Sequence, residues 1–167
     1  MHTLKGKERH EIRRKLRRLH EAADIRYRIA EDIREIRDGM DTFLTLFVSN
    51  RSDKAAFMNS HMVSFFQSLA EGLAEVQIMK LSFLELDGTP AAALMSFDYN
   101  STVYLYNNGY DRRFRSLSVG LLSKVLSIKE SIERGRKKYD FLKGDEAYKY
   151  RLGGNAVPLY RCEIQLG

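Results

Sequence analysis

A chain of 167 residues with 44% hydrophobic and 30% charged side chains has enough apolar material for one sizeable core and the composition of ordinary globular protein. No apolar run approaches the ~20 residues of a membrane helix, and the basic N-terminus lacks the apolar stretch of a secretory signal. The expectation is therefore a cytoplasmic protein without membrane insertion. Residues 1–20 hold eight Lys or Arg and two Glu, which accounts for the whole net charge of +6. The high basicity thus belongs to one segment and says little about the partners of the rest.

In chain order, residues 5–22 read as a helix whose Ile12, Leu16 and Leu19 form a narrow apolar stripe on a basic rod. That stripe needs a covering surface, in cis or in trans. Asp24 to Ala30 alternates Ile25, Tyr27 and Ile29 with Arg26 and Arg28, a strand pattern. Glu31 to Phe47 is helical. A second helix is capped by Ser52 or Asp53 and turns Met58, Met62, Phe65, Phe66, Leu69 and Leu73 inward, with His61 on the same partly buried face.

The periodicity then switches. Gln77 to Leu86 is an apolar run ended by Asp87-Gly88, a two-residue hairpin signal, and Thr89 to Tyr99 is the return strand, with Pro90 where a missing N–H is tolerated. Asn100-Ser101 turns the chain into Thr102–Asn107, completing an antiparallel meander. After a turn at Asn108-Gly109, Ser118–Gly135 is a helix with Ile132 among its inward residues. Lys138–Leu142 is a short strand, Asp145–Leu152 a short helix capped by Asp145, and Ala156–Leu166 a final strand with Cys162 as a small buried filler. The fold class is α/β with a mixed (α+β) sheet. The division is a basic N-terminal helix over 1–23 and one domain over 24–167.

The passage into the helix at Ser118 carries the clearest chemistry. Free N–H groups and partial positive charge at a helix start attract anions. This helix has no acid before Glu130, Gly120 leaves room for phosphates near the backbone, and Arg112, Arg113 and Arg115 stand upstream. Alone, these residues also read as a plain Ser-capped helix with solvated arginines. Downstream, helical spacing brings Asp145 near Tyr148 and Lys149 beyond the end of a strand, where α/β folds place ligands. The four histidines fall within the first 61 residues and no Cys/His/Asp/Glu spacing suggests a metal. There is no Walker loop, nucleophile elbow or dinucleotide fingerprint.

The run Arg115-Ser116-Leu117-Ser118-Val119-Gly120 resembles the coenzyme A pyrophosphate motif Q/R-x-x-G-x-G/A of the GNAT acetyltransferase superfamily, with Ser118 in place of the first Gly. The element order from residue 24 onward is similar to that fold, with the motif after the meander and the last strand missing. Tyr139-Asp140-Phe141-Leu142-Lys143-Gly144-Asp145-Glu146-Ala147-Tyr148-Lys149-Tyr150 resembles the ending of the CelD-type, cellulose-biosynthesis branch. So do the hairpin from Asp87 to Ala93, the turn Gly109-Tyr110-Asp111 and the basic start Lys7–Leu19. Members of that branch usually carry another GNAT-like half before the basic helix, so this chain corresponds to the later half.

The resemblance implies an acyl-CoA-dependent N-acyltransferase that moves acetyl from acetyl-CoA to an amine of a small-molecule or saccharide acceptor, in polysaccharide or cell-envelope metabolism. It implies coenzyme contacts at Leu105, Tyr106, Asn107, Arg115, Ser116, Leu117, Ser118, Val119, Gly120 and Lys149. A backbone N–H within Leu105–Asn108 would polarise the carbonyl. Tyr148 is the candidate acid for the leaving thiolate, and Glu85 or Asp98 the candidate base, with no metal. Two other readings share the fold: a Fem-like transferase using aminoacyl-tRNA, and a non-catalytic half that binds or dimerises, as a homodimer or with a second GNAT-like half. Contact of the basic helix with nucleic acid is the lesser reading against a solvated helix packed on one stripe.

Overall fold

The computed structural model describes residue 4, residues 6–49 and residues 58–165. The elements are helix α1 (Gly6–Ala22), strand β1 (Ile25–Ala30), helices α2 (Ile33–Ser49) and α3 (Ser60–Glu75), and strands β2 (Met79–Leu86), β3 (Thr89–Tyr99) and β4 (Thr102–Tyr110). A 3-10 helix (Arg112–Leu117), helix α4 (Val119–Glu133), strand β5 (Lys138–Asp140) and helix α5 (Ala147–Arg151) follow. Among the described residues no helix is long and apolar enough to cross a membrane.

The five strands lie in sequence order, antiparallel from β1 to β4 and parallel between β4 and β5. Both tight turns work as their residue types require. Asp87 and Gly88 have φ of 49° and 75°, and Asn100 and Ser101 have 48° and 57°. Two consecutive left-handed residues match the right-handed twist of the flanking strands. The Asp87 carboxylate also accepts from the Asp24 N–H at 2.9 Å, tying the start of β1 to the hairpin.

Helices cover both faces. On one face α2 and α3 bring Ile36, Met40, Phe43, Phe47 and Phe66 onto Leu81, Phe83, Ala93 and Met95. On the other, α1 and α4 bring Ile12, Leu19, Val119 and Leu122 onto Leu84, Leu86 and Ala92. The apolar stripe of α1 is therefore covered in cis. Strand β2 is buried at every position because it lies between two strands and between two helical layers.

Several expectations are corrected. Asn108 and Gly109 are not a turn; β4 runs on to Tyr110. A Cβ on Gly109 would lie 2.3 Å from the Leu46 carbonyl carbon, so this glycine lets the α2 backbone rest on the strand. The caps proposed at Ser52 or Asp53 lie outside the described residues; α3 begins at Ser60, with Asn59 Oδ1 accepting from the Met62 N–H at 3.0 Å. Phe66, Ala70 and Ala74 are its buried residues, with Met62 and Leu73, and Met58 before the helix, packed against the same core, while Phe65 and His61 are exposed. Ile132 is exposed as well. Asp145 does not cap α5: Glu146 holds that position without a side-chain cap bond, and Asp145 accepts from the Tyr150 hydroxyl instead. Residues 156–165 form no strand, and Cys162 among them is exposed, not buried.

Candidate functional site

Strands β4 and β5 pair only from Thr102 with Lys138 to Tyr104 with Asp140. Beyond that point β4 continues to Tyr110 while the chain after Asp140 turns away, so the sheet opens into a wedge. Along its other edge β4 carries a bulge. Met95 pairs with Asn107 and Ser96 with Leu105, leaving Tyr106 as the extra residue. A bulge re-aims the local backbone groups and side chain. The Tyr106 ring packs on Phe97 and Phe66, with centroids at 5.0 and 6.3 Å, which anchors the bulge to the α2/α3 side.

The N-terminus of α4 points into the open end of the wedge. Ser118 is its cap residue in a left-handed conformation (φ 59°, ψ 31°), with no side-chain cap bond and no acid in the first turn. The first N–H groups of such a helix have no intrahelical acceptor, and its positive end stays unneutralised. Lys15 of α1 donates to Ser118 Oγ at 2.9 Å, so the basic helix abuts this corner. Asp111 caps the preceding 3-10 helix and binds the Arg113 guanidinium, which holds its carboxyl below the usual range. Arg115 is exposed beside the cavity.

A cavity of about 360 Å³ joins these parts. Arg115, Ser118, Val119 and Gly120 line one side, Asn108 and Tyr110 of β4 another, and Tyr148 of α5 closes it. The Tyr148 ring stands edge-on to Phe141, with centroids 6.0 Å apart. Its phenol is pushed up to about 12, first by burial and then by the Glu146 carboxylate, so it keeps its proton at neutral pH. Sequence reasoning missed Lys124. Its ammonium donates to Asn108 Oδ1 at 3.0 Å and the Gly120 carbonyl at 2.7 Å, and lies 4.9 Å from the Tyr148 ring centroid. Periodicity could not reveal a lysine only 5% exposed on an inward face of α4.

The structure thus brings Tyr148 together with Arg115, Ser118, Val119 and Gly120. It places the other sequence candidates elsewhere. Gly120, within the cavity lining, also faces the Tyr110 ring so closely that a Cβ there would lie 2.8 Å from a ring carbon, so its smallness serves helix–strand packing. Ser116 is exposed and Leu117 half-buried on the 3-10 helix, outside the cavity lining. Leu105 is buried in β4 and Asn107 half-buried beside the bulge. Lys149 is buried away from the cavity, donating to the carbonyls of Leu142, Lys143 and Gly144 and pairing with Glu146. Glu85 accepts from Arg28 Nε at 3.0 Å. Asp98 lies near the opposite end of β3, bound by Arg136 at 2.9 Å within an ion cluster around Lys80, Glu130 and Glu31.

Known folds place this wedge in context. The structure superposes on a GCN5-related N-acetyltransferase from Ralstonia eutropha JMP134 with a TM-score of 0.57 at 16% identity, over 84% of this chain and 99% of that one. It is similar to aminoglycoside N-acetyltransferase AAC(6')-Iy in complex with CoA (0.56, 12% identity, 84% and 95% covered). It is also similar to a ribosomal-protein-alanine N-acetyltransferase from Brucella melitensis biovar Abortus 2308 (0.53, 11% identity, 86% and 100% covered). No curated protein sequence matches the chain significantly. The family model of the acetyltransferase (GNAT) domain matches residues 6–150, from the start of α1 through Tyr150, and by that match the chain belongs to the GNAT acetyltransferase family.

Proposed function

We propose that this protein transfers an acetyl group from acetyl-CoA to an amine of a small-molecule or saccharide acceptor. One observation carries the reading: a single cavity unites the acid-free start of α4 and Arg115 with Tyr148, where β4 parts from β5. The pyrophosphate is held by the first-turn N–H groups of α4 and by Arg115, because both present positive charge to one opening. The pantetheine arm follows β4 into the wedge, and a β4 N–H near the Tyr106 bulge receives the carbonyl oxygen as negative charge develops on it.

The neutral amine attacks the thioester carbon, and the tetrahedral adduct collapses with cleavage of the C–S bond. Tyr148 gives its proton to the departing thiolate. The raised phenol pKa keeps that proton available at neutral and mildly alkaline pH. Asp98 takes no part in this reading, since it faces Val103, where β4 is still paired with β5, at the end of the sheet away from the wedge. Glu85, paired with Arg28 at the end of β2 beside the start of β3, is the remaining candidate for taking the ammonium proton.

Calorimetric titration with acetyl-CoA tests the site, with Arg115→Glu as the variant. Reversing this charge is expected to weaken binding about tenfold or more without loss of folding. Tyr148→Phe is expected to bind the coenzyme like the wild type and to lose about 10²-fold or more of acetyl transfer in a screen of amines. A folded wild-type chain that binds no acetyl-CoA would end the proposal.

A further inference from the structure

The inward side of α4 is apolar at Val119, Leu122 and Val125, yet it also carries Lys124, which is buried with them. Burying an ammonium is costly, and an apolar side chain of similar volume would fill the same space with less loss of stability. A charge kept there, within the lining of the proposed coenzyme cavity, points to a use for the charge itself.

Lys124 touches all three walls of that cavity. Its ammonium donates at 2.7 Å to the Gly120 carbonyl, one turn back in α4. It donates at 3.0 Å to Asn108 Oδ1, on the stretch of β4 beyond Tyr104, the last residue paired with β5. From α5 the Tyr148 ring presents its face, with the centroid 4.9 Å from the ammonium. An ammonium has three N–H groups, and two oxygens with one aromatic face accommodate them. Phe141 meets the same ring edge-on, so the ring is held between two contacts.

Resting on the acyl-transfer reading, we propose that Lys124 is a positioning residue for that reaction: it fixes the Tyr148 ring in the wedge and stabilises the phenolate that Tyr148 becomes when its proton has passed to the thiolate. In that step the phenol O–H bond breaks, an S–H bond forms, and the electron pair left on the oxygen spreads into the ring. A cation over an aromatic face is attracted by the negative charge density of the ring, which the phenolate increases. The contact is therefore stronger after proton transfer than before it, and so favours the transfer itself. The phenolate takes a proton back from solvent once the coenzyme A thiol has left. The other titratable or charged groups about Tyr148 are Arg115 of the 3-10 helix and Tyr110 of β4 in the same cavity, Tyr139 of β5, and Glu146 at the cap of α5. Burial and the Glu146 carboxylate oppose the phenolate. Arg115 is exposed and screened by solvent, whereas the Lys124 ammonium is buried and acts at close range.

The test needs neither coenzyme nor acceptor. A polyfluorinated tyrosine in place of Tyr148, whose phenol is more acidic, is titrated by fluorine NMR in the otherwise unaltered chain. Lys124→Gln keeps a donor without the charge, and Lys124→Met is apolar with similar volume. Each should make this phenol about tenfold or more weaker as an acid, while Lys124→Arg should stay within about threefold of wild type. An unchanged phenol in the neutral variants overturns the proposal. So does an Arg variant as weak as they are, which would leave the lysine a packing role alone. Unfolding of both neutral variants, read by circular dichroism, would assign the lysine to the fold and overturn it as well. Calorimetry with acetyl-CoA separates this from the coenzyme site, since the neutral variants should bind it like the wild type. A wild-type chain that binds no acetyl-CoA while its phenol still answers to Lys124 would end the acyl-transfer reading and leave the Lys124–Tyr148 coupling standing.

Discussion

Ser118 concentrates two requirements in one residue. Its backbone sits in the left-handed region, where a Cβ is crowded, while its hydroxyl receives the Lys15 ammonium. The two roles separate by substitution. Ser118→Val cannot adopt this conformation without strain and should cost about 1–3 kcal/mol by denaturant unfolding, whereas Ser118→Gly should stay within about 1 kcal/mol of wild type. Equal losses in both variants would mean that the Lys15 bond, not the backbone, sets the stability of this corner. Ser at the position where the coenzyme motif has Gly was legible as a departure. Its left-handed conformation was not, because it follows from how the 3-10 helix feeds α4, with the Ser118 N–H donating to the Arg115 carbonyl at 3.0 Å. Gly120 was legible as a required glycine, but its contact with the Tyr110 ring, from a strand ten residues upstream, was not.

At the scale of elements, α1 is the piece whose role was least visible. Its seven Lys and Arg residues drew attention to its surface, but its two buried residues tie it to the rest: Leu19, with no exposed area, and Ile12 pack with Val119 and Leu122 at the start of α4. Leu19→Ala should therefore cost about 2–5 kcal/mol and, on the proposed coenzyme site, also weaken acetyl-CoA binding, because the start of α4 loses its backing. Unfolding and titration of the same variant check both; a stability loss with unchanged affinity would confine α1 to a packing role. The meander was readable from its turn residues, which act locally. Turn chemistry misled at Asn108-Gly109, where the glycine answers to the α2 backbone rather than to the strand's own course. The final strand was expected from alternation alone, and alternation does not supply the neighbour that a strand needs.

For the whole molecule, charge is buried unevenly. Lys80, 1% exposed, is surrounded by Glu130 at 3.0 Å, Glu31 at 3.6 Å and Asp98 at 3.8 Å, with Arg134 and Arg136 on their outer sides. The cluster joins β2, β3, α4 and the loop before α2 at the end of the sheet away from the wedge, leaving the other end to be opened. The order of helices and strands was legible because the apolar period switches between them. The cluster and Lys124 were not, because a buried lysine and a solvated one look alike until their partners from other segments are placed. The layering also implies a gradient in time. The β2 amides, enclosed by two strands and two helical layers, can meet solvent deuterium only when the whole domain opens. Those of β5, three residues long with one neighbour, can exchange by fraying alone, so deuterium uptake should move across the sheet from β5 towards β2, by mass spectrometry of peptic fragments. Uniform uptake would mean that the sheet opens as one unit. A graded uptake would make the wedge the mobile border of a slow core, and the lifetime of a bound coenzyme would then follow the opening of β5 rather than the stability of the domain.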